Sequence, residues 1–426
     1  MALLRLGRDC SREDELASFP LPGSIYLKAT PRDAWYWLLL SLLHSKPSAR
    51  KLTAGKTFIA AFLRDCEAGG EALSQTFRSP PTCSVHHGAA GIALLLYKLG
   101  YDRDDRFLLS SAERWVRRTS RHVASPEAFY NPAPAWDITE KSVGRMSLLF
   151  CESGVRCVQA LIALGLGRQR AARSAVALFL RLSEIAERRH ELTIGKGGML
   201  LGCALLLDSL PNSARQSRKQ VRARGEQIYR QMIKLPTAGP ALPVKRLGIA
   251  HGRAGILYAL LLWHDATGRP VSPRLSAALK KLAEMGQEIG SAARWEHTQG
   301  KGEYWSGWCN GTAGYVFLWT LTARLLSHPG YLELAEMAAQ HTWQVGSANL
   351  SLCCGAIGDG YAYLNLYRAT GKALWLQRAR SSARLAMGVE DHSLYRGRAG
   401  VVALLSDLDH PKTSWMPFFE RTRHSP

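Results

Sequence analysis

The feature that most restricts this chain's fold is a recurring Gly-x-x-Gly pair that opens an apolar run. It reads Gly88-Ala-Ala-Gly91, Gly195-Lys-Gly-Gly198, Gly252-Arg-Ala-Gly255, Gly311-Thr-Ala-Gly314, Gly355-Ala-Ile-Gly358 and Gly397-Arg-Ala-Gly400. A degenerate copy, Cys151-Glu-Ser-Gly154, keeps only the second glycine. The second glycines fall at 91, 154, 198, 255, 314, 358 and 400, at intervals of 63, 44, 57, 59, 44 and 42 residues. The dipeptide spacing alone arises by chance. A constant context at a near-regular step is the mark of a repeat architecture.

Each motif leads into a segment apolar around most of its circumference, such as Gly255–Trp263 or Tyr315–Leu326, which reads as a buried helix. Amphipathic, Arg-rich segments such as Leu332–Val345 and Ala373–Met387 alternate with these and read as an outer layer. One helical hairpin with its loops fills each step. Seven hairpins closing on themselves predict an all-α fold, a seven-hairpin α/α toroid with an inner barrel of seven helices. Inner-helix N-termini then converge at one mouth, where crowding and turns with φ > 0 call for glycine. The toroid is expected over residues 76–426, as one compact domain. Residues 1–75 carry no copy of the motif and read as an N-terminal helical segment, apolar at Ala34–Leu43.

An apolar content of 46% with 21% charged residues excludes intrinsic disorder. Ala34–Leu43 is about half the length of a membrane span, and no signal peptide is visible, so a cytoplasmic location is expected. The net charge of +21 favours acidic partners, with dense patches at Arg168–Arg173 and Arg215–Arg224. Nucleic acid is not expected, because no nucleic-acid motif accompanies the charge. Nine Cys, an odd number without an export signal, argue against a disulfide framework. Cys10, Cys66, Cys83, Cys151, Cys157 and Cys203 read as packing residues.

The residues just before each motif should line a shared cavity. They include His86 and His87, Phe150, Ile194, Ala250 and His251, Cys309 and Asn310, Cys353 and Cys354, and Tyr395 and Arg396. Three of the nine Cys therefore fall at equivalent places in two adjacent loops. Convergence on a metal explains this, Zn²⁺ with an open fourth position being the natural ion. Packed, unliganded thiols are the alternative.

The loops Gly248-Ile-Ala-His251-Gly-Arg-Ala-Gly255, Trp308-Cys309-Asn-Gly-Thr-Ala-Gly314 and Leu352-Cys353-Cys354-Gly-Ala-Ile-Gly358 resemble the signature loops of the lanthionine synthetase C-like (LanC) family. The likeness extends over about residues 80 to 420. It implies a zinc site in which Cys309 and Cys353 match the family's first two ligands. Cys354 stands where many members have His, a Cys-Cys-Gly variant known in the family. It also implies thioether formation: a peptide Cys thiolate adds to dehydroalanine or dehydrobutyrine, with His251 as the acid/base. One Zn²⁺ per chain is expected. The implied partners are a dehydrated peptide, with or without an acidic leader, and a separate dehydratase or kinase-type enzyme, since no kinase motif is present.

Three positions depart from the family's pattern. Ser147 stands where bacterial cyclases carry an acid, Trp305 where they carry Arg, and Asn310 where an aromatic or His is common. His86, His87, Arg294, His297 and Lys301 lie near the loops and are candidates to compensate. Trp295, Trp305 and Trp308 read as cavity wall, and Asn310 and Arg396 as further cavity residues. Two other functions are weighed against cyclisation: a zinc-binding peptide scaffold without turnover, and addition of a glutathione-type thiol. A toroidal glycosidase would need paired carboxylates at the mouth; Glu152, Glu303 and Asp359 do not form such a pair in the sequence.

Overall fold

A computed structural model of the chain describes residues 49–67, 70–131, 138–235, 245–347 and 349–421. The chain divides after Leu52, and the unit from Thr53 onward is the one described below. Ala34–Leu43 and Cys10 lie outside the described residues.

Sixteen helices and one hairpin occur among the described residues. In chain order they are α1 (Ala49–Asp65), α2 (Glu71–Thr76), α3 (Ala89–Asp102), α4 (Arg106–His122), α5 (Glu140–Val143), α6 (Glu152–Gly165), α7 (Gln169–Leu182) and α8 (Lys196–Ser209). There follow α9 (Arg215–Met232), α10 (Arg253–Thr267), α11 (Pro273–Ala283), β1 (Gln287–Ile289), β2 (Ala292–Arg294), α12 (Thr312–Leu326), α13 (Pro329–Val345), α14 (Ala356–Thr370), α15 (Ala373–Ala386) and α16 (Arg398–Asp409). The two short strands pair antiparallel, Gln287 opposite Arg294.

The repeat motif divides these helices into two classes. Helices α3, α6, α8, α10, α12, α14 and α16 each begin inside a motif and are buried around most of their circumference, without a break from Gly197 to Leu207 or from Ala254 to His264. The intervening helices bury one stripe only. In α4 it comprises Leu108, Leu109, Ala112, Trp115 and Val116, with arginines on the other face. Each inner helix packs on the next, and α16 returns to α3, so the barrel closes. This is the α/α toroid expected from the repeat. Each fully buried Leu contributes roughly 1.5–3 kcal/mol, so the largely apolar inner helices make the barrel the core.

The seventh outer place is filled from the N-terminal side. Asp65 of α1 pairs with Arg398 at 3.2 Å, and the Arg398 guanidinium lies over the rings of Phe58 and Phe62.

Of the two causes expected for the motif glycines, one holds and the other does not. None has a positive φ; the first glycine of each pair is extended, as at Gly252 with φ −129°. Crowding is the reason. A Cβ at Gly255 would lie 1.8 Å from the carbonyl oxygen of Ile249, and one at Gly314 would lie 2.3 Å from that of Trp308. The mouth loop folds back so tightly on the first helical turn that no side chain fits.

Beyond α16 the chain turns into the barrel. Phe419 stacks on Tyr258 at 4.4 Å and meets Trp308 and Phe317 edge-on. The Tyr395 hydroxyl donates to the Pro417 carbonyl at 3.2 Å. Glu420, buried, accepts from Asn365 and Arg368 and from the Met416 amide. These partners come from α10, α12, α14 and two mouth loops, so this segment fills the barrel axis and floors the mouth.

Candidate metal centre

The mouth is organised by a ring of hydrogen bonds. Its members lie two places before each motif's first residue: His86, Leu149, Thr193, Ala250, Cys309, Cys353 and Tyr395. The Thr193 amide donates to Ala250 (3.1 Å), Ala250 to Cys309 (2.7 Å) and Cys309 to Cys353 (2.9 Å). Cys353 then donates to Tyr395 (3.1 Å), Tyr395 to His86 (3.2 Å) and His86 to Leu149 (3.0 Å). The remaining gap is bridged by Ser147: its hydroxyl accepts from the Leu149 amide and donates to the Thr193 carbonyl at 2.6 Å. Ser147 is fully buried. Ser147 thus has a structural role in this chain, closing the ring between Leu149 and Thr193.

This ring sets Cys309 and Cys353 side by side at equivalent stations, with Cys354 one residue further. Their three sulfur atoms lie within 4.8 Å of one another, a group that could hold a metal ion. Amide donors face the sulfurs: Asn349 Nδ2 donates to Cys354 at 3.2 Å and Asn310 Nδ2 to Cys309 at 3.5 Å. The Ser351 hydroxyl lies 3.6 Å from Cys354. Cys354 collects hydrogen bonds from Cys309, Cys353, Asn349 and Ser351, and these hold its thiol far below the ordinary range despite burial. For Cys309, the bond with Cys353 favours the thiolate but is outweighed by the bond to Cys354 and by burial, and the thiol is pushed up to about 12. The cluster brings three sulfur donors together at one point of the mouth. Such a donor set suits a soft divalent ion.

His251 lies in the neighbouring loop. Its Nδ1 is 3.1 Å from Glu191 Oε2 and 3.2 Å from Thr193 Oγ1. A carboxylate on Nδ1 fixes the proton there and leaves Nε2 as the basic nitrogen. Glu191 escaped the sequence reading, although it stands four places before Gly195. That is the column Ser84, Ser147, Ser351 and Ser393 occupy in other repeats.

The other candidate residues are dispersed around the mouth and the core. His297 and Trp305 stack face to face, 4.4 Å between centroids and 6° between planes. His86 is buried and stacked between Phe150 and Tyr395; burial first, then His87, Arg396 and His251, drive its pKa well down. His87 and Arg396 line a cleft of about 400 Å³ together with Asp391 and Asn131. Burial and the Arg396 charge push His87 down to about 4. Trp308 and Trp295 are fully buried: Trp308 packs on Phe419, and Trp295 donates to the Leu282 carbonyl. Both are core, part of the barrel's packing. Arg294 ends β2, lies 3.7 Å over the Tyr304 ring and donates to Gln287, so it is held on the hairpin.

A closed barrel of seven inner helices with three convergent thiols at its mouth defines the class: an α/α toroid with a candidate metal centre. The chain belongs to the lanthionine synthetase C-like protein family, whose pattern matches residues 79–421. It is similar to Glutathione S-transferase LANCL1 of Danio rerio, 25% identical over 369 residues, covering 80% of this chain and 86% of that protein. It is also similar to LanC-like protein GCL1 of Arabidopsis thaliana, 28% identical over 189 residues, 41% of this chain and 43% of that one. Among solved structures it matches nisin cyclase with a TM-score of 0.61 at 14% identity, over 86% of this chain and 95% of the other. That likeness is one of fold. No described helix is long and apolar enough to cross a membrane.

Proposed function

We propose that this chain is a zinc-dependent lanthipeptide cyclase-like enzyme that adds a peptide Cys thiolate to dehydroalanine or dehydrobutyrine in the same peptide. The observation that carries the reading is the cluster of Cys309, Cys353 and Cys354 with sulfurs within 4.8 Å. Zn–S bonds of about 2.3 Å in a tetrahedron need sulfurs roughly 3.8 Å apart, so a small inward movement suffices. Bound there, Zn²⁺ supplies an open fourth position that acidifies an incoming thiol. Asn349 and Asn310 donate to the protein's own sulfurs and hold them as ligands.

The remaining work falls to His251 and Glu191. Glu191 holds the Nδ1 proton, so Nε2 accepts the proton of the substrate thiol. The sulfur lone pair forms the new C–S bond at the β-carbon, the C=C electron pair moves toward the carbonyl oxygen, and His251 returns its proton to the α-carbon. The balance is addition of S–H across the double bond. His86 is buried between Phe150 and Tyr395, and Phe419 packs the barrel axis beneath the mouth.

A separate dehydratase would supply the dehydrated peptide, and the basic outer helices suit an acidic leader in the cytoplasm. A second reading, a glutathione-type thiol as donor, is favoured by the likeness to Glutathione S-transferase LANCL1 of Danio rerio. The test incubates the zinc-loaded protein with a dehydrated Cys-containing peptide, then alkylates free thiols and records masses. Ring closure leaves the mass unchanged and removes the alkylatable thiol. Consumption of glutathione with a mass gain supports the second reading instead, and no thiol loss with either donor leaves a zinc-binding scaffold.

A further inference from the structure

Trp305 is a large apolar side chain left 46% exposed at the mouth. Its indole lies parallel to the His297 ring. Each member of the pair is anchored to a different functional loop. The Leu247 amide donates to the His297 carbonyl at 3.0 Å, four residues before His251. The Thr312 amide donates to the Trp305 carbonyl at 3.1 Å, three residues after Cys309. The stack therefore spans the acid–base loop and the thiol loop.

The support is rigid and uncharged. His297 has only 13% of its side chain exposed, with Thr298 Oγ1 at 3.3 Å and Glu303 Oε2 at 3.8 Å from Nδ1. Burial, then the Arg246 charge, lower its pKa and keep the ring neutral. A second exposed apolar residue, Val345, ends α13 at 58% exposure. The Ser306 hydroxyl donates to the Gly346 carbonyl at 2.7 Å and ties the Trp305 segment to that helix end. Two exposed apolar side chains thus flank one hydrogen bond at the rim, continuous with the site.

We infer that the stacked pair His297–Trp305 is a recognition platform for an aromatic side chain of the peptide, adjacent to the residue whose thiol the cysteines handle. The inference rests on the peptide-thiol reading above. A flat neutral stack attracts an aromatic ring and offers an acidic or small neighbour little, so it selects which cysteine of a peptide is presented.

The test uses blocked tetrapeptides that carry Ser in place of Cys, Gly-Phe-Ser-Gly and Gly-Ala-Ser-Gly, with affinities read by ligand-observed NMR. The full-length protein should bind the Phe peptide about 3- to 10-fold more tightly than the Ala peptide. Trp305→Ala should abolish that preference and Trp305→Phe should keep most of it. The exposed site lets both variants fold, which their helical circular dichroism confirms. Equal affinities, no detectable binding of either peptide, or a preference that survives Trp305→Ala overturns the platform. Lacking a thiol, these peptides report on the platform separately from metal and turnover. A protein inert in thiol addition can still show the preference, and an active one without it defeats this inference alone.

Discussion

The Ser147 hydroxyl donates to the Thr193 carbonyl at 2.6 Å and is the one side chain in an otherwise main-chain ring of seven mouth loops. Removing it strands three backbone groups, the Leu149 and Phe150 amides and the Thr193 carbonyl. Ser147→Ala should therefore destabilise by about 1–3 kcal/mol, measured by urea unfolding. Ser147→Asp restores an acid but loses the donor when ionised, and should be less stable than Ser147→Ala near neutral pH. An Asp variant as stable as the parent would show that the ring tolerates a break.

Metal content tests the centre directly. Protein purified without added metal should carry close to one zinc per chain, and Cys309→Ala should lose most of it. Chelation should abolish thiol addition while the toroid, held by its apolar inner helices, keeps its helical spectrum. Full zinc in Cys309→Ala would place the metal elsewhere.

Glu191 and His251 should act as one unit. His251→Asn should keep zinc and fold yet slow thiol addition at least roughly tenfold, since general acid–base help is worth about 10²–10⁴-fold. Glu191→Gln should slow it less, because the amide can still accept from Nδ1–H but carries no charge. If Glu191→Gln leaves the pH–rate profile unmoved, the carboxylate does not tune the imidazole.

Asp359 gives a pH signature. It is buried in the first turn of α14 beside Ser347, and burial first pushes its carboxyl up to about 8 from 3.8, opposed by the Ser347 hydrogen bond. A raised carboxyl pKa means the native state binds the proton more tightly than the unfolded chain. Its contribution is whole below about pH 4 and is lost as pH rises through about 8. Asp359→Asn mimics the protonated form and should gain stability over the parent across that window, on the order of a few kcal/mol by pH 8. Denaturant midpoints of the metal-free proteins at pH 4, 6 and 8 check it. A difference independent of pH would mean that the carboxyl titrates normally.

The repeat and the three cysteines were legible because both are periodic. A motif recurring every 42 to 63 residues specifies seven inner helices, and equivalent stations on neighbouring loops must be adjacent. Glu191, the sole acid in a column of Ser and Gly, was not legible in this way: its meaning came only once the ring placed that column against the His251 loop. The segment from Trp415 to Arg421 carries no period, and its partners Tyr258, Trp308 and Asn365 are scattered through the chain. Trp308 and Trp295 looked like cavity lining from their loop positions. Their burial depends on Phe419 and on Tyr315, which sequence spacing does not bring to them.

Closure of the barrel also has a consequence in time. Asp65 and Arg398 are paired across 333 positions, and the mouth ring is completed only when Tyr395 donates back to His86. During synthesis at about 5–20 residues per second, Cys309, Cys353 and Cys354 leave the ribosome before the residues that finish their surroundings. The nascent chain therefore carries three thiols in an open arc, without floor or neighbour. The mouth is finished only after nearly everything else has been translated, and a chain stopped short of Phe419 would lack the ring that packs on Trp308, the residue just before Cys309.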